Sequence, residues 1–229
     1  MAAEPPTYPR VPHLPPGRGA SRDDQVLSPA AAAPFFTREV VVEEKLDGAS
    51  VVLWLDDDGA VRSATRGGAG ALDRAGQLGP LRAWTMERSD ALRRLLDSGW
   101  ALFGEWLWLA HGIPYRRLPD WLVALDLWHP SWGFASLEER DARLGAARLI
   151  GPPRLDRGIL DSQARLDALM ERSAYGDEPA EGAVVRLLEA EDGPRIAKAL
   201  APGYVRRTDE EWRRPVRNVL AVQPAVRTG

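Results

Sequence analysis

From residue 39 onward the chain is a series of short apolar runs rich in Val, Leu and Trp, each closed by a turn signal. Runs of this kind predict buried or half-buried strands. The first covers Glu39–Lys45 and the second, after the turn at Gly48, covers Ala49–Leu55. Asp56-Asp-Asp-Gly reads as a hairpin turn that returns the chain as a third strand over 61–66. Residues 100–108 and 121–128 predict a further pair, and 181–188 and 195–200 the last two. The pattern shifts to a helical period over 80–98, where Leu81, Trp84, Leu92, Leu95 and Leu96 share one face and predict a single amphipathic helix. Residues 136–148 and 161–173 also read as helices, the first with Ser136 as cap and Glu139 three residues on. Thr208-Asp-Glu-Glu-Trp-Arg-Arg opens like a capped helix. Hairpin-linked strands with helices between them predict an α+β domain with mostly antiparallel sheets. Residues 1–34, rich in Pro, Gly and Ala, show no periodic element. They predict an irregular segment partly packed on a body spanning 35–229, with a basic C-terminal tail and no separate C-terminal domain.

At 229 residues, 45% hydrophobic and 28% charged, the chain has globular proportions and length enough for a real core. No run of about 18 apolar residues is present, which excludes a transmembrane helix. The N-terminus lacks the basic start and apolar stretch of a signal peptide. Cysteine is absent, so disulfides, thiolate metal sites and Cys nucleophiles are excluded. A cytoplasmic protein is expected. Lys and Arg together number 30, but only Lys45 and Lys198 are lysines, leaving 28 arginines. Arg stays protonated at any usable pH, whereas an amine can lose its proton and attack an electrophile. The two lysines are therefore candidates for work that a guanidinium cannot do. Net charge is −3, unevenly spread. Residues 195–217 carry seven basic and three acidic residues, +4, on a body of −7. A basic patch on an acidic body suits a polyanion held at one face.

Lys45-Leu-Asp-Gly stands at a strand end, where Gly48 lets the chain reverse close to a ligand and Asp47 can accept hydrogen bonds or hold a hydrated metal. Thr65-Arg-Gly-Gly, Phe103-Gly-Glu-Trp, Leu125-Asp, Glu181-Gly-Ala-Val-Val-Arg and Ile196-Ala-Lys198 follow in order. Glu105 lies in an apolar strand, where a carboxylate is costly to bury without a partner. This ordered set resembles the covalent nucleotidyltransferases, the polynucleotide ligases and capping enzymes. Pro9-Arg-Val-Pro-His-Leu-Pro and the stretch from Trp106 to Asp126 narrow the resemblance to bacterial ATP-dependent RNA ligases of the phage RNA-ligase-2 type. It spans roughly residues 8–215.

The resemblance implies an α+β nucleotidyltransferase domain of the ATP-grasp-like ligase adenylation kind, with antiparallel sheets and flanking helices. It implies a monomer that uses ATP and Mg²⁺ or Mn²⁺ to join RNA 5′-phosphate and 3′-hydroxyl ends, with a protein partner able to supply further RNA contacts. Lys45 would be the nucleophile, its pKa lowered by burial and by Lys198 or a metal. Asp47 and Lys198 would share the catalysis. Glu44, Gly48, Glu105, Leu125 and Glu181 would join the two lysines in binding the nucleotide. Asp47 and Glu181 would hold metal through water, and Ser50, Arg66, Arg213 and Arg214 would take the RNA end. The Trp residues at 100, 106, 108, 121 and 128 read as core. Three positions depart from the family pattern. Ser50 stands where Asn is frequent, Leu125 where an aromatic is frequent, and Lys198 is alone where two lysines are usual. The rivals are a DNA ligase or guanylyltransferase core, and a nucleotide- or RNA-binding module without turnover.

Overall fold

The computed structural model describes residues 7–65, 76–189, 195–205 and 216–221. In chain order its helices are α1 (Pro29–Ala32), α2 (Pro34–Thr37), α3 (Leu78–Glu87), α4 (Ser89–Leu96), α5 (Leu137–Ala147) and α6 (Gln163–Leu169). The strands are β1 (Glu39–Lys45), β2 (Ala49–Leu55), β3 (Val61–Thr65), β4 (Ala101–Trp106), β5 (Leu109–Ala110), β6 (Leu122–His129), β7 (Gly133–Phe134), β8 (Arg154–Ile159), β9 (Gly182–Leu187), β10 (Ile196–Leu200) and β11 (Val216–Arg217). Among the described residues no helix is long and apolar enough to cross a membrane.

All the paired strands run antiparallel, in two main sheets. The first has the order β10-β9-β1-β8 and the second β3-β2-β4-β6-β7, while β11 pairs with β5 in a separate ribbon. Each main sheet buries one face under helices. Val40, Val42, Ala183, Val185, Ala197 and Ala199 form one core with Phe35 of α2 and Leu166 of α6. Val51, Leu53, Leu102, Trp106 and Ala124 form another with α3, α4 and Leu144 of α5. The α+β architecture is the one the hydrophobic pattern predicts.

Three local features differ from the pattern. The helix read over 80–98 is two, broken at Arg88 (φ −106°, ψ 14°). Arg88 there reaches back over the Trp84 ring and out to Asp120, 3.2 Å away. Strand β8 escapes detection because Arg154-Leu-Asp-Arg-Gly-Ile has no apolar run; it is an exposed sheet edge, where charged residues discourage further pairing. The N-terminal segment and its junction with the body hold two single-turn helices, each with Pro at its start and too short to show periodicity. The same segment extends the first sheet. The Leu14 N–H donates to the Lys198 carbonyl and the Lys198 N–H to the Pro12 carbonyl, both at 2.8 Å. The helix read from Thr208 lies outside the described residues.

Candidate active site

Successive side chains of a strand point to opposite faces. With Val40 and Val42 in the core, β1 therefore turns Glu43 and Lys45 to the other face of the first sheet. Cross-strand register puts Val184 beside Glu43 and Lys198 beside Val184, so these share that face with Arg186. In the second sheet Ala49, Val51, Trp106 and Ala124 face the helices. Ser50 and its cross-strand partner Glu105 consequently face the other way. Between Ala124 and Leu127, both in the core, two residues intervene instead of one: the β4–β6 register shifts at Phe103/Gly104, and Leu125 is the extra residue of a bulge. Leu125 and Asp126 are thus both excluded from the helix-covered side. Arg186 bridges the sheets through Asp126, at 2.9 and 3.0 Å. The two unhelical faces enclose a cleft lined by charge.

Lys45 ends β1 with its Nζ 2.5 Å from Glu181 Oε1. Burial disfavours the ammonium, but Glu181, Glu105 and Asp47 outweigh it and hold the amine above its ordinary pKa. This corrects the expectation that burial and Lys198 lower it: Lys198 Nζ instead sits 3.0 Å from Asp24 Oδ1. Asp24 is held well below the usual carboxylate range, chiefly by the N–H of Ser21. Glu105 goes the other way. Burial pushes its carboxyl up to about 8 despite Lys45, with Glu181 and Asp47 adding to the rise.

The turn after Lys45 is gripped from three sides. Gly48 N–H donates to Glu105 Oε1 at 2.9 Å, and the Asp47 N–H donates to the Tyr115 hydroxyl at 2.8 Å. Asp47 Oδ2 accepts from the N–H groups of Gly112 and Ile113, at 2.5 and 3.2 Å, and from the Tyr204 hydroxyl at 3.0 Å. A Cβ on Gly48 would lie 2.6 Å from the Trp106 carbonyl, so glycine is required there by close approach. Of the two carboxylates expected to face metal-bound water, Asp47 has one oxygen committed to this loop, whereas Glu181 faces the amine. Among the described residues no group of three or more His, Asp or Glu side chains is placed to hold a metal ion. The donor set suits a hydrated cation shared with phosphates, not one caged by protein.

Glu44, expected at the nucleotide, points into the opposite face. Its oxygens accept from Ser173 Oγ at 2.5 Å and Ala174 N–H at 2.8 Å, and burial raises its carboxyl. Arg66, Arg213 and Arg214 lie outside the described residues. Sequence reasoning overlooked Tyr115, Tyr204 and Asp24, which stand in loops with no periodic signal. It also overlooked a buried ionic group of Glu43, Arg140, Arg186, Asp126 and Tyr8. The signal for that group was charge inside apolar strands, at Glu43 and Arg186, which demands partners.

A family model described as RNA ligase matches residues 38–200. No curated protein sequence matches the chain. Among solved structures, an archaeal ATP-dependent RNA ligase is 20% identical with a TM-score of 0.54, over 85% of this chain and 48% of its own. An apo variant of a Naegleria gruberi RNA ligase is 19% identical with a TM-score of 0.51, over 89% of this chain and 63% of its own. Another variant of the Naegleria gruberi enzyme, with ATP and Mn, is 18% identical with a TM-score of 0.50, over 80% and 56%. The chain thus spans between about half and somewhat under two thirds of these relatives, and it shares their fold.

Proposed function

The chain belongs to the RNA ligase family, and from that premise we propose that it is an ATP-dependent RNA ligase working through a lysyl-AMP on Lys45. One observation carries the reading: one of only two lysines ends a strand on the helix-free face of the first sheet, with its amine 2.5 Å from Glu181 and under the influence of Glu105 and Asp47. A lone structural lysine has no need of three carboxylates.

In the first step the Lys45 amine attacks the α-phosphorus of ATP. An N–P bond forms, the bond to the bridging oxygen of pyrophosphate breaks, and pyrophosphate leaves. The amine must first lose its proton, and Glu181 is the base within reach. The AMP then passes to an RNA 5′-phosphate, whose oxygen displaces the lysine. Finally a 3′-hydroxyl oxygen attacks that phosphate and AMP departs. Such transfers rest on positioning and charge neutralisation. Lys198 faces the same cleft and would place positive charge on the α-phosphate after exchanging Asp24 for it. Mg²⁺ or Mn²⁺, when bound, would supply further neutralisation of the phosphates, with Glu181 and Asp47 holding its waters. Leu125 and Val184 offer apolar surface for the base. Ser50 lies opposite Glu105 at the same end of the cleft, and with Arg66, Arg213 and Arg214 it would take the RNA end. The protein would act as a cytoplasmic monomer, with a partner protein free to add RNA contacts.

The test is incubation with labelled ATP or GTP and Mg²⁺ or Mn²⁺, followed by a denaturing gel and peptide mapping. An acid-labile AMP adduct on Lys45, absent with GTP, is expected. AMP on Lys198, or no adduct with either nucleotide, defeats the reading.

A further inference from the structure

The Asp47 turn is held by a loop that is itself held by the most C-terminal described residues. Asn218 is 3% exposed, and burial of a primary amide is costly unless both its ends are bonded. Both are: Oδ1 accepts from the Tyr115 N–H and Nδ2 donates to the Leu107 carbonyl, each at 2.8 Å. The backbone repeats the connection. Asn218 N–H donates to the Trp108 carbonyl at 3.2 Å, and Val219 N–H to the Tyr115 carbonyl at 3.0 Å. Arg217 clamps the strap from outside, its guanidinium 3.7 Å from the centre of the Trp108 ring. Tyr115, 1% exposed, then places its hydroxyl on the N–H of Asp47. A continuous line of hydrogen bonds therefore runs from Asn218 through Tyr115 to the residue two positions beyond Lys45.

We propose that Tyr115 and Asn218 are positioning residues for adenylylation: the strap at 216–221 fixes Tyr115, and Tyr115 fixes the turn from which Lys45 attacks. The proposal rests on Lys45 being the nucleophile. Its physical basis is steep dependence on geometry, since misplacement of a reacting group by about 1 Å costs on the order of a hundredfold in rate. Packing alone explains an apolar side chain at 218 better than an amide. What the amide adds is register, because it bonds the chain on both sides of β5, at Leu107 before it and Tyr115 after it.

Two shape-conserving variants separate this role from general stability. Tyr115→Phe keeps the ring and removes the oxygen that accepts from Asp47. Asn218→Asp keeps the acceptor for Tyr115 and replaces the donor to Leu107 with an oxygen. Each should lower the single-turnover rate of lysyl-AMP formation by about ten- to a hundredfold, with the KM for ATP changed less than about threefold. The same variants should seal RNA already carrying a 5′-adenylyl group at close to the wild-type rate, because that step forms no bond to Lys45. Arg143→Ala removes a comparable guanidinium, 4.3 Å from the centre of the Trp100 ring on the helix-covered side of the second sheet, so it should lower the melting temperature with the adenylylation rate unchanged. Wild-type rates of lysyl-AMP formation in both variants overturn the proposal. So does an equal fall in sealing of adenylylated RNA, or loss of a folded melting transition in both, since the contacts would then serve the fold at large. A wild-type protein that forms no lysyl-AMP overturns the reading of Lys45 itself, a distinct result.

Discussion

Lys45 and Lys198 lie on one face of the first sheet but keep different company: carboxylates of the cleft surround the first, and Asp24 of the N-terminal segment holds the second. Their replacements should differ accordingly. Lys45→Arg should form no AMP adduct, like Lys45→Ala, because a guanidinium is protonated and delocalised. Lys198→Arg should retain partial labelling, while Lys198→Ala loses about 10²–10³ in rate, the usual effect of removing one electrostatic contact to a transition state. Persistent labelling of Lys45→Arg would sink the assignment. The pH dependence follows from the charge around the amine. Glu181 holds the Lys45 proton, so adenylylation should accelerate as pH rises and the amine becomes neutral. Glu181→Gln removes a negative neighbour and should move that rising limb to lower pH, even as it lowers the maximal rate. A limb that stays in place in a pH series of single turnovers contradicts the pairing. At this scale the sequence was most legible where a residue type was scarce. Two lysines among 28 arginines single themselves out, whereas Tyr115 and Tyr204 acquire meaning only when distant segments meet at Asp47.

Strands and turns impose their own demands, and glycines mark where they are tightest. Gly182 opens β9 beside Glu181, and a Cβ there would run into the Ala199 carbonyl and the Leu200 backbone of β10. Backbone, unlike a flexible side-chain tip, cannot swing aside. Gly182→Ala should therefore part β9 from β10, destabilise the fold by about 1–3 kcal/mol as overpacking does, and shift both Glu181 and Lys198. Paired urea melts and labelling assays should show the two losses together. An unaltered melt with unaltered labelling refutes the close-approach argument. The strands with apolar runs were visible beforehand because burial needs hydrophobic side chains in sequence. Strand β8 was not, because its partner β1 supplies the burial while β8 itself stays at the edge. The break at Arg88 was hidden for a similar reason: the apolar period continues through it, and a contact to Asp120, 32 positions away, accompanies the bend.

The two sheets meet through charge as well as through apolar packing. Arg186 of the first sheet bonds both oxygens of Asp126 in the second, and its Nε donates to Glu43 Oε2 at 2.7 Å. Arg140 of α5 reaches Glu43 from the other side at 2.5 Å and the Leu125 carbonyl at 2.9 Å. The Tyr8 hydroxyl donates to Asp126, joining the N-terminal segment to the group. All four charged members are buried. Replacing one partner of such a group leaves an uncompensated charge, at a cost of about 3–5 kcal/mol. Arg186→Met should therefore destabilise the fold strongly at neutral pH while leaving Lys45 chemically unchanged. The acid limb gives a sharper check. Burial alone would raise the Glu43 carboxyl, but Arg186 and Arg140 hold it below its ordinary value. A depressed carboxyl contributes stability above its unfolded pKa, about 4.3, and that contribution is lost as pH falls through the lower folded value. In Arg186→Met the Glu43 carboxylate loses part of that support and protonates more readily, so acid relieves the variant while it weakens the wild type. The stability gap between the two proteins should be widest near neutral pH and should narrow steadily below about pH 4. Urea denaturation across that range measures it directly, and a gap independent of pH would mean that Arg186 braces the sheets by its packing and not by its charge.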